Sequence, residues 1–168
     1  TVLTSDNLKY LVKEDLDAVY VLTPNISHAP ITIAALKAGK HVMCEKPFVL
    51  DARAANDLMQ KAKEAGIRLM VMHVVRFWPE YQKIKEMIDN GTLGDIKNVY
   101  MNRLSSHPTW ATWHRDPKKS GGGLYDLHIH DIDFLYHVFG DVESVYAVGK
   151  HQGAQLWAAG GDSAGLPF

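Results

Sequence analysis

Asp17-Ala-Val-Tyr-Val-Leu-Thr-Pro-Asn-Ile-Ser-His28, with Ala38-Gly-Lys-His-Val-Met-Cys-Glu-Lys-Pro47 behind it, is the stretch on which the fold turns. Residues 17–22 form a compact apolar run of buried-strand length, and Thr23 to His28 reads as the turn that follows. Ala29 to Ala38 carries Ile33 and Leu36 at helical spacing and closes on Gly39, a residue suited to a left-handed cap. His41 to Cys44 is then a second short strand. Further out, Asp51 opens a helix that runs to Ala65 and stops at Gly66, and Arg68 to Met72 is a third apolar strand. Upstream, Ser5 caps a short helix through Leu11. Strands separated by helices of this length predict right-handed crossovers and a parallel sheet covered on both faces. The fold class is α/β, part of a doubly wound parallel sheet.

After His73 the pattern changes. A helix from about Pro79 to Asn90 stops at Gly91, and Ile96 to Leu104 alternates as one strand of a half-exposed sheet. Residues 105–120 form a polar, aromatic-rich loop. Gly121 to Gly123 opens a helix that ends near Phe139 with Gly140 as its cap, and Val142 to Val148 alternates as another strand. These signals predict three segments: residues 1–74 as the C-terminal part of a dinucleotide-binding domain, 75–149 as part of an α+β open-sheet domain, and 150–168 as an irregular tail without periodicity. The parallel sheet begins without a strand, glycine-rich turn and helix, and two strands seldom stand alone in water. Further segments or another chain are expected to supply the missing contacts.

Composition narrows the function classes. The 168 residues are 46% hydrophobic and 22% charged, with 18 basic against 19 acidic side chains and no run of like charge. That balance argues for a globular chain whose partners are small molecules or protein, with no nucleic-acid or membrane surface. A single cysteine, Cys44, excludes an intrachain disulfide framework. With no apolar run of transmembrane length and no basic-then-apolar leader at the start, a reducing, cytoplasmic setting is expected.

The helix from Gly123 to Phe139 is the richest in chemistry. At about 100° per residue, Asp126, His130, Asp133 and His137 fall in one narrow stripe. Apolar residues flank it on both sides, so the helix reads as buried on nearly all sides. Ionisable groups on such a helix must pair or face a cleft. A satisfied internal network and a functional site weigh about equally on this helix alone. A zinc site is the sharper alternative, but His128 and His130 point to roughly opposite sides and the stripe matches no standard zinc helix, so no metal is expected. Cys44-Glu-Lys-Pro47 and Thr23-Pro-Asn25 both follow strands, where ligands of open α/β sheets bind. Taken alone, Lys46 is most often a solvated lysine, and Pro47 is the sort of residue that fixes a tight or cis turn.

Four motifs occur in order: Asp17-Ala-Val-Tyr-Val-Leu-Thr-Pro-Asn-x-x-His28, Ala38-Gly-Lys-His-Val-Met-Cys-Glu-Lys-Pro47, Arg76-Phe, and Ser120-Gly-Gly-Gly-x-x-Asp126-x-x-x-His130-x-x-Asp133. Together they resemble the Gfo/Idh/MocA family, the glucose-fructose oxidoreductase and inositol dehydrogenase relatives, over about Leu8 to Val148. The resemblance implies a Rossmann-like first domain and correspondence to about the middle half of a typical member. It implies NAD or NADP as cofactor and a sugar, polyol or related secondary alcohol as substrate. Lys46, Asp126 and His130 are the implied catalytic residues. The implied cofactor-binding residues are Thr23, Pro24, Asn25, His28, Glu45, Lys46, Pro47 and Arg76, with Trp113 and Arg115 approaching cofactor or substrate. A homo-oligomer is implied as well. A histidine of ordinary pKa, about 6.5, can take a hydroxyl proton near neutrality, which suits His130 as general acid/base. His128 stands where the family commonly has a small residue, and the glycine-rich fingerprint that would separate NAD from NADP does not occur in these residues. The alternative is a truncated, non-catalytic paralogue acting as a binding or structural module.

Overall fold

The computed structural model describes residue 13, residues 15–105 and residues 111–148. The helix expected over 5–11 and the tail expected from 150 lie outside the described residues. The chain divides into two compact units, one reaching Met72 and including Lys118–Gly121, the other holding His73–Pro117 and the chain from Gly122.

In the first unit β1 (Ala18–Val21), β2 (His41–Glu45) and β3 (Leu69–Met72) form a parallel sheet in the order β1-β2-β3. Val21 lies opposite Cys44, and Cys44 opposite Val71. Helix α1 (His28–Lys37) joins β1 to β2, and α2 (Ala52–Glu64) joins β2 to β3. Asp51 caps α2, its Oδ1 accepting from the Ala54 N–H at 2.8 Å, which satisfies one of the donors a helix start leaves open. Gly39, at φ 71°, lets the chain leave α1 into β2 without a Cβ penalty.

Inward residues Val19, Val21, Val42 and Cys44 pack with Ala35 of α1, Leu58 of α2, and Phe48 and Val49 into one apolar cluster. Both helices therefore cover the same face. On the opposite face Tyr20, Met43 and Met70 are exposed, Met70 to 54%. The expected cover on both faces is absent among the described residues. The reason lies in the strand order: two crossovers of one hand moving the same way across a sheet land on one side. Covering the other side takes a crossover in the reverse direction.

In the second unit a 3₁₀ turn (Val74–Phe77) leads into α3 (Pro79–Asp89), whose Pro79 sits at the start where a missing N–H costs nothing. A π-helical turn (Leu124–His128) runs into α4 (Ile129–Phe139). Phe134 of α4 is buried, with Tyr81 of α3 edge-on to it at 4.7 Å between ring centroids. The strands expected at 96–104 and 142–148 do not form: neither segment joins a ladder among the described residues, and Tyr100, Leu104, Tyr146 and Val148 are strongly exposed. Alternation of apolar side chains gives a strand only where a partner takes up its main-chain groups.

Candidate active site

Two loops leave the carboxyl ends of β1 and β2. Thr23 and Pro24 lead into a 3₁₀ turn at Asn25–Ser27, where the Ser27 hydroxyl bonds the Thr23 hydroxyl at 2.8 Å and the Pro24 carbonyl at 2.6 Å. His28 is fully buried. Its Nδ1 lies 2.7 Å from the Pro47 carbonyl oxygen and its Nε2 2.7 Å from the Thr23 carbonyl oxygen. Both partners only accept, so a neutral ring donates to one of them and a doubly protonated ring to both. The ring joins the Thr-Pro-Asn loop to the Glu-Lys-Pro turn. Lys46–Pro47 is a cis peptide, and the Lys46 N–H donates to Glu45 Oε2 at 3.1 Å. Buried Asn25 donates through Nδ2 to the Ser120 carbonyl at 2.8 Å, tying the residue before the glycine triplet to this edge. Both loops lie beyond parallel strand ends, where ligands of open α/β sheets bind. Cys44, on the strand that leads to this turn, is buried. Burial pushes its thiol up to about 11, with the Thr32 hydroxyl lowering it and the Glu45 charge adding to the rise.

The second unit has its own histidines and buried acids. Gly121 and Gly122 both have positive φ, at 81° and 72°, a turn that side-chain-bearing residues resist. The chain then enters the π turn, which carries Asp126. The expectation of a helix buried all round is corrected. Asp126, Asp131 and Asp133 are buried, while Ile132, Tyr136 and Phe139 are exposed. The polar side faces in because each aspartate meets a basic side chain there. Arg76 forks Asp133, Nε donating to Oδ2 at 2.8 Å and Nη2 to Oδ1 at 2.5 Å, with His73 Nδ1 at 3.4 Å. Arg103 forks Asp131 likewise, at 2.8 and 2.6 Å, and reaches the Tyr81 hydroxyl at 3.4 Å. The carboxylates hold both guanidinium groups above their ordinary pKa by hydrogen bonding, against desolvation. Asp126 meets His114, with 3.7 Å between Oδ2 and Nδ1 and both side chains buried.

Of the residues singled out from sequence, Thr23, His28 and Pro47 are joined directly, with Pro24, Asn25, Glu45 and Lys46 on the same two loops of the first unit. Arg76, Trp113, Arg115, Asp126 and His130 belong to the second unit. Trp113 stacks on His114 at 3.7 Å, Arg115 is exposed, and His130 is half-buried on α4. His128 pairs with Asp131, Nδ1 to Oδ2 at 3.4 Å. Sequence reasoning missed His114, Arg103 and Asp131. His114 stands between two residues that were singled out, and Asp131 lies three residues beyond His128, the only local hint of that pairing. Among the described residues no group of three acidic, histidine or cysteine side chains could hold a metal ion, and no helix is long and apolar enough to cross a membrane.

Comparison with known proteins agrees with these two halves. Residues 2–73 match the model described as the oxidoreductase family, NAD-binding Rossmann fold, and residues 81–164 match that of the GFO/IDH/MocA C-terminal domain. The chain is 35% identical to 2,7-anhydro-N-acetylneuraminate hydratase of Escherichia coli, over 85% of its own length and 39% of that protein's. It is 33% identical to trans-1,2-dihydrobenzene-1,2-diol dehydrogenase of Mus musculus, over 81% and 41%. Among solved structures, levoglucosan dehydrogenase in complex with NADH and levoglucosan aligns with a TM-score of 0.68 and 26% identity, over 82% of this chain and 39% of that one. The chain spans less than half the length of each of these proteins. With both halves matched in order along one polypeptide, the chain belongs to the Gfo/Idh/MocA oxidoreductase family.

Proposed function

We propose that this protein is an NAD- or NADP-dependent dehydrogenase of a sugar, polyol or related secondary alcohol, with His130 as general acid/base acting together with Lys46 and Asp126. The observation that carries the reading is the buried carboxylate of Asp126, set on a π turn four residues before His130 in a family that uses nicotinamide. π turns recur at functional sites, and burying an acid is costly unless it is paired or has work to do. In alcohol oxidation His130 takes the hydroxyl proton, and the Lys46 ammonium stabilises the alkoxide charge that develops. Asp126 orients the imidazole or the hydroxyl. The nicotinamide, when bound, supplies the hydride acceptor.

Thr23, Pro24, Asn25, Glu45, Lys46 and Pro47 form the cofactor's edge, and His28 contributes by holding their loops together. Arg76, Trp113 and Arg115 are assigned to the same task from the second unit. The exposed apolar side chains of 96–104 and 142–148 support a homo-oligomer, and the buried, protonated Cys44 suits a reducing cytoplasm.

The test is turnover of the product of the whole reading frame with NAD and with NADP against a panel of sugars and polyols. Lys46→Ala and His130→Ala should each lower kcat by about 10²- to 10⁴-fold. Unchanged turnover in both variants defeats the assignment, and water addition without net cofactor reduction would replace the dehydrogenase reading with a hydratase.

A further inference from the structure

His114 lies against Asp126, and the reaction described above gives it no part. Its imidazole is buried, its Nδ1 is 3.7 Å from Asp126 Oδ2, and its ring plane is set by Trp113, stacked at 3.7 Å with 29° between the planes. The 3₁₀ turn Thr112–Arg115 delivers both rings. From this geometry we infer that His114 is a positioning residue of the reaction centre: it holds the Asp126 carboxylate in the orientation from which that acid serves His130 or the substrate hydroxyl.

The inference rests on the proposed roles of Asp126 and His130. Its further support is a contrast along one helix. Asp131 and Asp133 are each locked by an always-charged guanidinium through two bonds of 2.5–2.8 Å. Asp126 faces a histidine ring, whose charge can change, at a distance just beyond a hydrogen bond. His114 Nδ1 faces Asp126 Oδ2, so this contact addresses one oxygen where an arginine fork engages both. Contacts of this length tighten when substrate arrives. Packing alone would ask only for a flat ring under Trp113, with no nitrogen facing the acid.

The experiment compares wild type, His114→Leu, His114→Asn, Asp126→Asn and the Asp126→Asn/His114→Leu double variant, in the product of the whole reading frame. Steady-state kcat, KM for the alcohol and the thermal midpoint are measured for each. His114→Leu should lower kcat by about tenfold to a hundredfold, the worth of one charge-assisted contact, while KM moves by less than about threefold. His114→Asn, which keeps an N–H near the Nδ1 position, should restore most of that loss. In the Asp126→Asn background His114→Leu should cost nothing further, because the residue acts through Asp126. Wild-type kcat in His114→Leu overturns the proposal, as does an additive double variant or an Asn variant as slow as the Leu variant. If His130→Ala keeps wild-type turnover, the underlying reading falls and the proposal falls with it. If His130→Ala is inactive while His114→Leu is active, the proposal alone falls.

Discussion

The two units bury opposite kinds of surface. The first is held by valines, alanines and leucines on one face of a short parallel sheet, and its buried polar residues, such as His28 and Asn25, bond mainly to main chain. The second buries three aspartates on and before α4 while leaving Ile132 and Tyr136 of that helix more than half exposed. Apolar packing is non-directional and tolerates small shifts. A carboxylate forked by arginine is directional, and desolvation makes it a poor source of stability. A helix that accepts this cost gains a fixed rotation about its axis. The difference teaches that the first unit is held by undirected packing and the second by directed pairs.

Three changes would break or sharpen this contrast. The largest effect is expected at the Arg76–Asp133 fork. Arg76→Leu leaves a nearly enclosed carboxylate uncompensated and should lower unfolding free energy by about 3–5 kcal/mol in denaturant titration, with Arg76→Leu/Asp133→Leu recovering most of it. A double variant as unstable as the single would mean that the fork itself stabilises. Next comes Leu58→Ala in the apolar cluster. It should cost about 2–4 kcal/mol, with hydrogen exchange accelerating in β1, β2 and α2 before α4. Equal acceleration in both units would dissolve the distinction between them.

The smallest effect concerns pH. Burial, with the nearby cations Arg76 and Lys85, holds His137 below the ordinary histidine value, against the pull of Asp133 and Asp89. The unfolded chain therefore takes up this proton first. The stability it contributes is full above about pH 6.5 and is lost as pH falls through the lower folded value. His137→Gln should flatten the stability profile on the acid side of pH 6.5 by a small margin and leave it unchanged above. A steeper acid limb in the variant would contradict the sign.

The β-α half was legible because its signals are local. Val19, Val21, Val42 and Cys44 alternate inward, Asp51 announces a cap, and Gly39 and Gly66 close helices, so each element could be placed within a residue or two. The loops proposed for the site could be placed for the same reason, since each follows directly on a strand. What sequence hid was non-local. Nothing in Arg103 or His114 tells that each meets an aspartate many residues away, because such a pairing is fixed by tertiary placement. The π turn was equally hidden. Leu124–His128 has an ordinary helical composition, and only the i→i+5 bonding of the folded chain sets it apart from the α-helix that follows. The alternating stretches at 96–104 and 142–148 misled in the opposite way, their pattern being real and their partner strands absent from the described residues.

The central claim is that, of three buried aspartates, Asp131 and Asp133 hold the helix while Asp126 does chemistry. The most direct measurement is kcat with the best alcohol substrate alongside the thermal midpoint, for Asp126→Asn and Asp133→Asn. The account predicts that Asp126→Asn loses turnover by about 10²-fold or more with a midpoint close to wild type, while Asp133→Asn drops the midpoint by several degrees and its folded fraction still turns over. An Asp126→Asn protein that unfolds as early as Asp133→Asn, yet turns over at the wild-type rate while folded, would contradict it.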